Sequence, residues 1–361
     1  MAVLLIIGTG KGLFLATSRD DRKSWDLSGP HFAMTAVYAG GIDKRGGGPR
    51  LLAGATNPHY GPSVATSDDL GATWQEPERA PVAFPERTEA ALERVWQLAP
   101  APGDQPGRVY AGVEPSALFV SDDGGTTYEL VDGLWDHPHR PTWTPGGGGK
   151  AIHTVLPDPR DPASVLVAMS TGGVYRTADG GATWTASNTG IKVYFLPDPF
   201  PEYGQCVHKV VRDPVTPDRL YLQHHHGVYR SDDAGATWQS IADGLPTDFG
   251  FAMVAHPRRG DVVYNFPIER DALRFPPERR CRVFRSSDAG ASWEALSDGL
   301  PEEPFYPVVL RDAMCTDDAE PAGVYFGTRN GSVFASRDEG DSWSLVAANL
   351  PDVLCVRAAT I

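Results

Sequence analysis

The chain is built from short runs in which apolar and polar residues alternate, none longer than a strand, each giving way to a polar turn. One set reads Gly173-Val-Tyr-Arg176, Gly227-Val-Tyr-Arg230, Arg282-Val-Phe-Arg285 and Ser332-Val-Phe-Ala335. A second set precedes it: Arg108-Val-Tyr-Ala-Gly112, Ser164-Val-Leu-Val-Ala168, Arg219-Leu-Tyr-Leu222 and Gly323-Val-Tyr-Phe326. Earlier still in each unit comes a β-rich run: Ala36-Val-Tyr38, Arg94-Val-Trp-Gln-Leu98, Ala151-Ile-His-Thr-Val155, Cys206-Val-His-Lys-Val210 and Phe251-Ala-Met-Val254. A fourth segment ends in Asp-Gly-Leu or a relative of it, as at Asp132-Gly-Leu134, Asp243-Gly-Leu245 and Asp298-Gly-Leu300. Period-2 alternation in β-branched and aromatic residues, bounded by turn residues, predicts strands rather than helices.

Between the third and fourth run of each unit stands one turn, Ser/Thr-x-Asp-x-Gly-x-Ser/Thr-Trp. It reads Ser67-Asp-Asp69-Leu-Gly71-Ala-Thr73-Trp74, and recurs with its aromatic residue at Tyr128, Trp184, Trp238, Trp293 and Trp343. A degenerate first copy, Ser18-Arg-Asp20-Asp-Arg22-Lys-Ser24-Trp25, has Arg where the glycine belongs. The aromatic positions are 49, 54, 56, 54, 55 and 50 residues apart. Each copy has a structural task. Gly supplies a positive φ, the Asp carboxylate accepts hydrogen bonds from the turn's own backbone, and the aromatic ring packs beneath it. Turns spread around a ring cannot converge on one substrate, so the aspartates are read as structural.

Four strands per ~50 residues, repeated seven times, predict an all-β chain forming a single seven-bladed β-propeller of four-stranded antiparallel blades, one domain over 1–361. The 17 residues before Ser18 suffice for two strands of the first blade and not three. Val353-Leu-Cys-Val-Arg357 is one strand too many for the last blade and matches the innermost strand that the first lacks. The C-terminal strand is therefore expected to complete blade one and close the ring, which removes open sheet edges.

The repeated turn resembles the Asp-box, or bacterial neuraminidase repeat, of the sialidase-like propellers. That group includes sialidases, xyloglucanase-type glycosidases, sortilin-type receptors and the photosystem II stability factors. The resemblance covers essentially the whole chain and implies the fold; it is weakly specific for activity. A sialidase itself is a poor match. Its Phe-Arg-Ile-Pro-like segment is missing from an N-terminal strand that reads Leu4-Leu-Ile-Ile-Gly-Thr-Gly10, and the count of seven blades departs from the six of that family.

Composition agrees with a folded protein unusually rich in turns: 39 Gly and 32 Pro among 361 residues, with 41% hydrophobic and 10% aromatic. A net charge of −14 argues against nucleic acid or an anionic membrane as a main partner. The four cysteines (Cys206, Cys281, Cys315, Cys355) are scattered and read as reduced thiols. The apolar start, Met1 to Ile7, has no basic segment or cleavage site, and no run approaches the ~18 apolar residues that span a bilayer, so a cytoplasmic location is expected.

Candidate chemistry is sought where the loops of the top face converge on the axis. Three long connections, Arg79–Glu93, Gly133–Lys150 and Ile191–Gln205, and an insertion from Phe266 to Arg280 are expected to cap it, with the glycine run 146–149 and the loop prolines marking the site. His153 and His208 occupy equivalent places in the innermost strands of adjacent blades, and His224, His225 and His226 lie in the top loop of blade five. Imidazoles brought together near the axis suit a divalent transition metal, with His153, His208 and His225 as ligands, or acid–base work without one. Glu114, His153 and His208 are the candidate catalytic residues. Lys11, His59, Arg94, Trp143 and Arg329 are the candidate ligand-binding residues, the cations neutralising an anionic group and Trp143 stacking on it. The expected partner is a small polar or saccharide ligand, processed by a hydrolase or lyase. The rival expectation is a non-catalytic ligand-binding or assembly propeller.

Overall fold

The computed structural model describes residues 2–57, 59–103, 105–144, 149–270 and 273–361. Seven antiparallel sheets stand in a ring. Six have four strands; the sheet of blade two has three, and its outer strand is reduced to the single bridge pair Thr66–Gln75. Pro77 follows two residues later, and a residue without an N–H cannot extend the ladder.

The ring closes as the sequence predicts. Val353–Thr360 pairs antiparallel with Val3–Thr9 as the innermost strand of blade one, outside which lie Gly12–Ser18 and Asp26–His31. The other innermost strands are Ala39–Asp43, Arg94–Pro100, Ile152–Pro157, Val207–Arg212, Gly250–Ala255 and Met314–Thr316.

The repeated turns are built as their residues require. Ser67 Oγ–H donates to Asp69 Oδ1 (2.8 Å), Gly71 N–H donates to Ser67 Oγ (2.8 Å), and Thr73 donates its N–H (2.9 Å) and hydroxyl (2.6 Å) to the Asp69 carboxylate. The same set recurs around Asp233, Asp288 and Asp338. Trp238 and Trp293 then reach back to the preceding blade, their indole N–H groups donating to the Ser187 (2.8 Å) and Ile241 (2.9 Å) carbonyls. At these two seams the aromatic ring spans the blades with its polar end satisfied.

The degenerate first copy keeps the turn with Arg22 at φ 63° in the glycine position. The side chain explains the exchange. Its guanidinium is 3% exposed, lies 3.4 Å from Asp317, and donates to the Pro321 carbonyl (2.9 Å), so it stitches blade one to blade seven at the seam.

Candidate functional site

Ladder registers show how the ring aims side chains into its mouth. In blades three, four and five the pairing slips by one residue near the start of the innermost strand, between Val95 and Gln97, Ile152 and Thr154, and Val207 and Lys209. The residues left over are Trp96, His153 and His208. Blade six slips between Gly250 and Met253, and blade one skips Leu354, with Val353 and Cys355 both paired. A bulge bends its strand and re-aims the extra side chain. Here the device recurs around the axis, and Trp96, His208, Phe251 and Leu354 all line one cavity of about 680 Å³ at the top of the channel. That size suits a small molecule.

The cavity has three walls. On the first, Glu114 Oε2 accepts from Arg94 (3.0 Å) and from the Trp96 indole (2.9 Å), while Arg94 lies over the Tyr38 ring at 4.3 Å. Gly149, at φ 97°, closes over this carboxylate; a Cβ there would stand 2.4 Å from Glu114 Oε1. On the second wall, Cys206 Sγ lies 3.6 Å from His208 Nε2, and one donor atom each from Cys206, His208 and His225 falls within 4.8 Å of the other two. The His208 Nδ1 is 2.6 Å from the Gly250 carbonyl of the next blade, so Nδ1 carries the proton and Nε2 faces the thiol. Burial, reinforced by the Arg311 charge, holds His208 well below the usual imidazole range, and it is neutral. Burial likewise raises the Cys206 thiol, with Arg311 pulling the other way.

The third wall is Arg311, 9% exposed, between the Trp96 and Phe251 rings at 5.5 Å from each. Among the described residues its one hydrogen bond runs from Nε to the His208 carbonyl (3.2 Å). Arg274 and Arg329 also reach the cavity, Arg329 standing 3.2 Å from Asp352. The floor is an ionic brace in which Asp312 Oδ1 accepts from Lys209 (2.6 Å) and Arg357 (2.8 Å). Burial pushes the Asp312 carboxyl up, but these two cations overcome it and hold it at about 2.

The structure therefore gathers His208, His225, Arg94 and Arg329 on one cavity, with Glu114 behind its wall. His153 stands apart. It makes the same interblade contact as His208 but with the other nitrogen, Nε2 to the Val207 carbonyl (2.9 Å), while Nδ1 meets the Thr154 hydroxyl (3.1 Å). With both nitrogens engaged and the ring 1% exposed, it has no lone pair for a metal. Trp143 is 2% exposed and donates to the Tyr175 hydroxyl (3.0 Å), part of a closed aromatic group with His137 and His139. Neither it nor Lys11 nor His59 lines the cavity. Of the glycine run, Gly149 is described and 146–148 lie outside the described residues. Sequence reasoning missed Cys206 and Arg311. The Cys-x-His spacing of residues 206 and 208 was the available signal, since alternate strand residues share a face.

No family model matches the sequence. Two curated xyloglucanases are similar to it. That of Paenibacillus sp. is 27% identical over 259 residues, 68% of this chain and 21% of its own. That of Hypocrea jecorina (strain QM6a) is 23% identical over 361 residues, 91% of this chain and 39% of its own. The chain thus spans well under half the length of these relatives. Among solved structures, an ancestral GH74 enzyme superposes with a TM-score of 0.54 at 18% identity, over 89% of this chain and 38% of the other. YCF48 bound to D1 peptide gives 0.52 at 14%, over 86% and 82%. A putative 6-phosphogluconolactonase from Bacteroides fragilis NCTC 9343 gives 0.57 at 12%, over 99% and 98%. At these identities the likeness is one of fold: a seven-bladed propeller resembling those of GH74 xyloglucanases and YCF48.

Proposed function

We propose that the chain binds a small anionic, sugar-derived ligand in the channel-mouth cavity and acts on it as a hydrolase or lyase. The observation that carries this reading is Arg311. A guanidinium nine-tenths buried, paired with no carboxylate among the described residues and framed by two aromatic rings, is costly without an anion and suited to hold one. The similarity to xyloglucanases favours a saccharide-derived partner.

The reacting group would meet Cys206, His208 and His225, which supply acid–base chemistry or, with one divalent transition-metal ion, a Lewis acid. Glu114 orients Arg94 and Trp96 and is assigned a positioning role. A two-carboxylate glycosidase step does not fit this lining. Among the described lining residues Asp312 is the one carboxylate, and it is committed to Lys209 and Arg357. All four cysteines are unpaired, which accords with a reducing, cytoplasmic setting.

Thermal unfolding against paired ligands tests the reading: sugar acids and sugar phosphates beside their neutral parent sugars. The anionic members should raise the melting temperature and the neutral ones should not, and Arg311→Gln should abolish the difference. No response from either class refutes it. A non-catalytic reading has its own support in the exposed Phe195, which lines the cavity, and the exposed Tyr194 next to it in the chain, a surface fit for a docked partner. Saturable binding with no product by mass spectrometry would decide for that alternative.

A further inference from the structure

We infer that Cys206, His208 and His225 form a transition-metal site with one thiolate ligand, open to the cavity at its fourth position. This deepens the reading of the cavity given above, although ion binding itself does not depend on the anionic ligand.

Geometry comes first. A tetrahedral ion holding sulfur at ~2.3 Å and nitrogen at ~2.05 Å sets those two atoms ~3.6 Å apart. Cys206 Sγ and His208 Nε2 stand 3.6 Å apart. The His225 donor lies within 4.8 Å of both.

Orientation comes second. The hydrogen bond from His208 Nδ1 to the Gly250 carbonyl fixes the tautomer and turns the Nε2 lone pair to the thiol, the outer-shell arrangement that metal-bound imidazoles adopt. His153 offers the contrast at the equivalent bulge, its Nε2 spent on Val207.

Chemistry separates this assignment from a rival use of the same pair as thiol nucleophile and imidazole base. A nucleophile–base pair employs two donors and leaves His225 without a role, whereas an ion takes all three of the donors gathered here. The ion displaces the thiol proton to solvent as the metal–sulfur bond forms. Arg311 beside Cys206 then sees a thiolate. One thiolate and two imidazoles select a borderline or soft ion of the Zn²⁺ class over Mg²⁺ or Ca²⁺, and three protein ligands with an open place match reactive rather than structural sites. The ion and one thiolate leave a single positive charge next to Arg311, so the open place favours hydroxide or an anionic group.

The test uses the full chain, stripped with chelator and titrated with Co²⁺ and then Zn²⁺. One ion per chain should bind, with a thiolate-to-Co²⁺ charge-transfer band and release of about one proton. Cys206→Ser should remove the band and weaken Zn²⁺ binding by about 100-fold or more, exceeding what loss of an outer-shell partner costs. His153→Gln should keep both band and stoichiometry. Should a variant fold poorly, the wild-type chain answers alone: Zn²⁺ should protect Cys206 from iodoacetamide, located by peptide mass. Absence of stoichiometric binding, a band that survives Cys206→Ser, or an unprotected Cys206 overturns the assignment. Because no organic ligand is present, an ion bound in a chain that answers to no sugar anion would leave this site standing while refuting the anion reading.

Discussion

At the scale of single residues, Arg22 shows how a broken rule can strengthen a fold. Restoring the consensus with Arg22→Gly would relieve a left-handed residue, about 1 kcal/mol. It would also remove the buried guanidinium from Asp317, and breaking a buried pair costs about 3–5 kcal/mol. Asp317 keeps other donors, the N–H groups of Ala319 (3.0 Å) and Gly323 (2.6 Å) and the Tyr325 hydroxyl (2.6 Å), which lowers that cost. The loss still wins. Arg22→Gly should destabilise by about 1–3 kcal/mol, read as a lower urea midpoint; a raised midpoint would refute the seam contact. The sequence displayed Arg22 as a departure from its repeat but not the reason, because its partner lies 295 residues away. Arg311 was hidden differently. It precedes the innermost strand of blade seven in a segment without alternation, so no period placed it at the axis.

At the scale of strands and turns, the repeat was legible because each element carries its own punctuation: the Asp, Gly and Trp of the turn and the valine–aromatic pair before it. The bulges were not legible. Val95-Trp-Gln97 and Val207-His-Lys209 read as regular alternation, and only pairing with the neighbouring strand shows which residue is displaced. His153 and His208 share that bulge and diverge in the ring nitrogen each turns to the next blade, Nε2 to the Val207 carbonyl and Nδ1 to the Gly250 carbonyl, a choice the sequence does not display. The closing strand was legible by counting, and it carries the strongest prediction at this scale. Deleting residues 353–361 would leave Val3–Thr9, buried along its whole length, as an open edge with unpaired backbone groups. The truncated chain should be recovered as soluble aggregate or inclusion bodies, and light scattering should show a mass far above one chain. A monomeric, cooperatively unfolding truncation would show that the ring does not depend on its last strand.

At the scale of the whole molecule, charge is distributed so that acid attacks many places at once. Hydrogen bonds from Ser24, Thr73 and Thr183 hold Asp20, Asp69 and Asp179 at about 2, below the ordinary carboxyl value. A carboxyl held low in the folded state contributes stability above its unfolded pKa and loses it as the pH falls through the folded one. Midpoints in urea should therefore hold steady down to pH ~4 and decline together between pH ~4 and ~2. A decline complete near pH 6 would point to histidines instead. The channel brace belongs to the same scale, since Lys209, Asp312 and Arg357 come from blades five, seven and one and meet only when the ring is shut. Asp312 is 3% exposed, and Asp312→Ala would strand two cations together under the cavity floor, at a cost of about 3–5 kcal/mol. Replacing Lys209 with Met in that background removes one stranded charge and should recover part of the loss. The sign of that coupling is the measurement: a double variant less stable than Asp312→Ala alone would mean that the lysine serves packing, and that the blades are not held across the channel by charge.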